Sequence, residues 1–189
     1  PLLQARPEVE HLLGKPLPAS VAAQVLDQQP HASGRVIWLV DTQVRAQQYA
    51  DLAQARGVRL RVALELDVGL HRGGVEPKDL AALASLVQQM PMLHLEGVMG
   101  YEPHLAKLPA PLRALSRARV EQALRAARAL LQDMTGGGAA LVNTGGSLTF
   151  ETYGTPEGVS EVSLGSVLVK PGDFEVRSTQ AFEAAMFIA

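Results

Sequence analysis

The chain has 189 residues, 47% of them hydrophobic and 19% charged, with a formal net charge of -2 and no cysteine. This suits a globular chain with one sizeable core, and the near-neutral balance offers neither a basic footprint for nucleic acid nor a polybasic arm for a membrane. The missing thiols exclude disulfides, thiolate metal sites and a cysteine nucleophile.

Taken in chain order, helical and strand patterns alternate. "VEHLL" (9–13) is a short apolar run stopped by Gly14, Pro16 and Pro18. "RVIWLVD" (35–41) reads as a strand opened by Gly34. Thr42 caps a helical stretch to about Arg56, which Gly57 stops. "RLRVALELDV" (59–68) is a third strand, and Pro77 opens a helix that runs to about Met90. "LHLEGVMGY" (93–101) is a fourth strand. The Ala-, Leu- and Arg-rich segment from Pro111 to Met134 has helical spacing and ends at Gly136 to Gly138. "AALVN" (139–143) and "SEVSLGSVLV" (160–169) give a fifth and a sixth strand, and the tail from Arg177 to Ala189 reads as helical.

Strands separated by helix-length crossovers imply a parallel sheet, and several central runs are apolar on both faces. An open doubly wound sheet and a (β/α) barrel both satisfy this pattern. A full barrel takes about 250 residues, so the expectation is a TIM-like barrel lacking its first and last units, with the whole of 1–189 forming one partial barrel domain. The chain starts at Pro1 in mid-pattern, which is expected of a piece of a longer protein. No apolar run reaches the roughly 18 residues of a membrane span and no signal-peptide pattern is visible. A cytoplasmic location is the expectation.

In either architecture the reactive face lies at the C-terminal ends of the strands, and the unusual residues fall there. The third strand runs into Gly69, His71, Arg72, Gly73 and Gly74. Glycines let a backbone turn sharply and approach a ligand, and a guanidinium can bond an oxyanion with fixed geometry. An ordinary solvated loop with Arg72 paired to Asp67 is the alternative. The fourth strand ends at Tyr101, Glu102 and His104, where a Tyr or His can stack on a flat ring or relay a proton. A tyrosine capping the core with its hydroxyl in water is the plainer reading.

The fifth strand opens into Gly145, Gly146 and Ser147, and the sixth carries Gly165 and Ser166. Small residues expose backbone N–H groups, as a phosphate needs. Neither loop matches the Walker or GxGxxG pattern, but two such loops after neighbouring strands suit the phosphate sites of barrels. The four lysines, Lys15, Lys78, Lys107 and Lys170, all lie outside the strand patterns and read as surface charges. The five histidines show no metal-ligand spacing, and no GxSxG elbow supports a serine nucleophile.

"LELDVGLHRGGVEP", "LEGVMGYEPHL", "NTGGSLTFETYG" and "SEVSLGSVLV" follow one another in order and spacing. Together they resemble the D-threonine aldolase, D-serine dehydratase and alanine racemase-like group of fold-type III pyridoxal-phosphate enzymes, over residues 9 to about 175. The resemblance implies a TIM-like barrel that holds pyridoxal 5'-phosphate at its strand ends, followed by a separate β-domain. It matches Arg72 to the arginine that bonds the cofactor's phenolic oxygen, with His71 beside it in sequence as a further catalytic candidate, and places Tyr101 and His104 at the strand end beside the pyridine ring and substrate. Gly145, Gly146, Ser147, Gly165 and Ser166 match the loops that hold the phosphate. Ser163 stands where alanine racemases place an arginine beside the pyridine nitrogen, which weakens that particular activity. No lysine here matches the family's Schiff-base lysine, and the β-domain that supplies metal ligands in some branches has no counterpart, so any divalent metal would belong there and none is assigned to this chain.

The expectation is therefore a pyridoxal-phosphate lyase or racemase acting at Cα of a D-amino acid or β-hydroxy amino acid, with a small-molecule substrate, no nucleic-acid or membrane partner, and homodimers as in the family. Two alternatives stay open: a non-catalytic pyridoxal-phosphate carrier, and a phosphate-binding barrel enzyme that does not use that cofactor.

Overall fold

The computed structural model describes residues 2–138, 140–153, 158–172, 174 and 177–185. The chain divides into two compact units, Pro1–Leu66 with Gly73–Met99, and Asp67–Arg72 with Gly100–Ala189.

The first unit holds strands β1 (His11–Leu12), β2 (Val36–Val40), β3 (Leu60–Leu66) and β4 (Leu93–Gly100, whose last residue belongs to the second unit). Helix α1 (Leu2–Ala5) precedes them, and helices α2 (Ala19–Gln28), α3 (Ala32–Arg35), α4 (Gln43–Arg56) and α5 (Leu80–Gln88) run between them. β1 and β2 pair in parallel, as do β2 and β3, with Trp38 opposite Val62 and Val40 opposite Leu64. Every residue of β2 is buried, as expected of a parallel strand covered on both faces. Trp38 meets Tyr49 of α4 edge-on, with ring centroids 6.0 Å apart.

The predicted caps of α4 are in place. The Thr42 side chain accepts from the Arg45 amide, and Gly57 closes the helix in the left-handed region at φ 62°. At the start of β3, Arg61 donates to Glu96 at 2.6 Å and also to Glu10. α2 was hidden by Pro16 and Pro18, which read as a stop although Pro18 is in fact its N-cap. The helix expected from Pro77 starts as a 3₁₀ turn over Pro77–Asp79 and becomes α-helical only at Leu80.

The second unit holds α6 (Ala110–Met134), β5 (Leu141–Thr144) and β6 (Glu161–Val162). β5 and β6 are parallel, with Asn143 opposite Glu161 and Thr144 opposite Val162. α6 buries Val120, Leu124, Ala127 and Leu131, one stripe of a helix otherwise rich in exposed arginine. The sixth strand is much shorter than the predicted 160–169. β5 turns away at Gly145 (φ 84°), so the last rung is the Ser163 amide on the Thr144 carbonyl, and the chain goes on to a 3₁₀ turn at Ser166–Leu168. The predicted C-terminal helix is also corrected. Arg177–Thr179 is a single 3₁₀ turn, 182–185 is not helical, and the Ala185 amide bonds the Val169 carbonyl. Residues 186–189 of that expectation, and Ala139 of the fifth strand, lie outside the described residues. No described helix is long and apolar enough to cross a membrane.

Candidate active site

The second unit gathers the loop after β3, the exit of β4 and the turns after β5 and β6. In the first of these, Asp67 organises the backbone. Its Oδ1 accepts the amides of Gly69 (2.9 Å) and His71 (3.1 Å), and its Oδ2 pairs with His71 Nδ1 at 2.8 Å. Burial opposes the charge on Asp67, but these bonds outweigh it and hold the carboxyl below its ordinary pKa. They also sustain His71 at φ 55°, a conformation uncommon for residues other than glycine. Asp67 thus turns to His71, whose side chain is otherwise exposed.

Arg72 lies over the Tyr101 ring, its Cζ 4.6 Å from the centroid. Tyr101 follows the last residue of β4 and lies close against Gly146, where a Cβ would stand 2.6 Å from Tyr101 Cε2. His104 begins the next turn of chain, within 3₁₀ helix Pro103–Lys107. Its ring rests against Gly69, and its buried Nδ1 has no hydrogen-bond partner among the described residues.

Ser147 is buried, and its Oγ accepts the amides of Val167 (2.9 Å) and Gly165 (3.3 Å), with the Ser166 hydroxyl 3.4 Å away. Two amides and two hydroxyls thus converge on one small volume, and a Cβ on Gly165 would meet nothing within 4 Å. The Gly165 and Val167 amides are donated to Ser147 Oγ, so a phosphate group would fit here by taking them in place of that oxygen, approaching from the open space beside Gly165. Ser163 donates to Asn143 Oδ1 at 3.0 Å, so its oxygen keeps its lone pairs for another donor.

The residues predicted from sequence therefore fall into three groups in one unit: Arg72 with Tyr101 and Gly146, His104 with Gly69, and Ser147 with Gly165 and Ser166. His71 serves the loop that carries Arg72. Glu102 was visible beside Tyr101 but carried no assigned role; it is fully buried and bonded to Thr144, Gly145 and Thr149. The available signal was an acid at the end of an apolar strand. Tyr153 escaped notice altogether. Its hydroxyl is buried without a partner among the described residues, and burial first, then the Glu102 carboxylate, raises its pKa. No group of three or more His, Asp or Glu side chains among the described residues could hold a metal.

The profile of the family described as "Alanine racemase, N-terminal domain" matches residues 12–171. Among solved structures, D-threonine aldolase from Filomicrobium marinum is similar at 22% identity and a TM-score of 0.78, over 95% of this chain and 50% of that one. D-threo-3-hydroxyaspartate dehydratase from Delftia sp. HT23 aligns at 23% identity and 0.70, over 82% and 41%. Alanine racemase of Clostridium difficile 630 aligns at 16% and 0.64, over 93% and 43%. The chain spans about half the length of the first of these and less of the others. No curated protein matches it significantly by sequence. The shared fold is an α/β barrel, incomplete in this chain.

Proposed function

This chain belongs to the alanine racemase N-terminal domain family, within the fold-type III pyridoxal-phosphate enzymes, and from that premise we propose that the whole protein binds pyridoxal 5'-phosphate and acts at Cα of a D-amino acid or β-hydroxy amino acid. The observation that carries the reading is the convergence of the Gly165 and Val167 amides and the Ser166 hydroxyl on Ser147 Oγ. Ser147 belongs to the same turn as Gly146, on which Tyr101 lies.

When bound, the cofactor supplies a sink for the electron pair left at Cα. The chain's own residues orient and polarise. The amides of Gly165 and Val167, which here donate to Ser147 Oγ, would turn to the phosphate together with the hydroxyls of Ser147 and Ser166. Arg72, braced on Tyr101, presents a fixed positive fork to the phenolic oxygen. His104 Nδ1, buried and without a hydrogen-bond partner among the described residues, holds or passes a proton on the substrate side. The Ser163 hydroxyl, anchored to Asn143, offers the pyridine nitrogen a neutral partner. That neutrality favours lyase chemistry over alanine racemisation.

The test is a substrate screen. Full-length protein loaded with pyridoxal phosphate is incubated with D-threonine, D-serine, D-threo-3-hydroxyaspartate and each enantiomer of alanine. Aldehyde or oxo-acid release from a D-β-hydroxy amino acid is expected. Tight cofactor binding with no turnover of any of them would support a carrier instead.

A further inference from the structure

We propose that Glu102 is a positioning residue for the phosphate end of the cofactor, a role that rests on the pyridoxal-phosphate reading above. Its side chain is fully buried, and both oxygens are engaged. Oε2 accepts the Thr144 hydroxyl at 2.8 Å and the Gly145 amide at 3.3 Å, while Oε1 accepts the Thr149 hydroxyl at 2.8 Å.

These donors bracket one short turn. Thr144 is the last residue of β5 and Gly145 opens the turn, while Thr149 closes it. Tyr101, the residue before Glu102, lies on Gly146 in the middle of the same turn. Two consecutive residues at the exit of β4 therefore grip the 144–149 turn at both ends and at its centre. Ser147, which gathers the Gly165 and Val167 amides, sits inside that grip. Both Glu102 oxygens are turned to the 144–149 turn, and Glu102 acts through it.

Burying a carboxylate is costly unless its hydrogen bonds are made, and an apolar side chain of similar size would often serve stability as well. What a satisfied buried acid adds is a defined geometry. Here that geometry sets where Ser147 presents its hydroxyl.

A phosphate-specific readout separates this role from general support of the fold. Dissociation constants for pyridoxal phosphate and for pyridoxal, which lacks the phosphate, are measured on full-length protein freed of cofactor, as wild type, Glu102→Gln and Thr149→Val. Glu102→Gln places an amide donor among three donors, and is expected to weaken pyridoxal-phosphate binding about tenfold while pyridoxal changes by no more than about twofold. Thr149→Val, which removes one donor, shifts the same ratio in the same direction by less. It decides the matter if Glu102→Gln does not fold. An equal loss for both ligands, or no loss, would overturn the proposal and leave Glu102 as a core residue. Wild type that binds no pyridoxal phosphate would overturn the cofactor reading, and the proposal with it.

Discussion

The guanidinium of Arg72 lies over the face of Tyr101, with Cζ 4.6 Å from the ring centroid. Tyr101 is thus both a brace for the cation and a neighbour of the Gly145–Ser147 turn. Replacing the ring by a methyl should therefore disturb Arg72 without touching its charge. Tyr101→Ala is expected to weaken pyridoxal-phosphate binding by about tenfold, whereas Tyr101→Phe, which keeps the π face, stays near wild type. Titration of the cofactor against both variants checks this.

The glycines separate steric from functional roles. A Cβ at Gly146 would stand 2.6 Å from Tyr101, and one at Gly145, already at φ 84°, would stand 2.7 Å from Val162. Gly145→Ala and Gly146→Ala should each destabilise by about 1–3 kcal/mol. A Cβ at Gly165, whose backbone lies at φ -144° and ψ -81°, would meet nothing within 4 Å, so Gly165→Ala should cost little thermal stability but weaken cofactor binding, because the methyl occupies the approach of the phosphate. Melting temperature and affinity measured on the three variants distinguish the two effects.

Tyr153 buries a hydroxyl near Glu102 and Thr144 without a well-formed hydrogen bond to either or to any other described residue. An unmade hydrogen bond of a buried group costs about 1–3 kcal/mol. Tyr153→Phe is accordingly expected to keep or raise stability, by up to about 1 kcal/mol. Denaturant unfolding of the two proteins is the check, and a clear loss would mean that the hydroxyl is bonded in solution.

Acid stability carries the signature of Asp67. Its carboxyl is held below the ordinary range in the folded state, so the unfolded chain takes up the proton first as pH falls. The stability from this group is fully present above the ordinary carboxylate pKa of about 4, and is lost as pH drops through the lower folded-state value. Asp67→Asn keeps an oxygen for the Gly69 and His71 amides but removes the charge, and should flatten the acid limb of the stability profile. An unchanged limb would assign it to other carboxylates.

Local chemistry made much of the fold legible. Thr42 and Gly57 bound α4 as their residue types dictate, and the all-apolar run of β2 marks a strand covered on both faces. What escaped depends on partners distant in sequence. β6 stops early because β5 turns at Gly145, and the tail is held by Val169 rather than by its own helical bonds. At the site, Arg72, Tyr101 and Ser147 stood out as unusual residues at strand ends. Glu102 did not, because an acid at a strand end reads as solvent-facing until Thr144 and Thr149 are seen to enclose it.

The central claim is that this unit holds pyridoxal phosphate, and the most direct measurement is titration of the cofactor into full-length protein, followed in absorbance, with Arg72→Ala and Gly165→Ala in parallel. The account predicts saturable binding by wild type, a label retained after borohydride reduction, and weaker binding by both variants, which remain folded. Folded wild-type protein that shows no binding, or variants that bind as tightly as wild type, would contradict it.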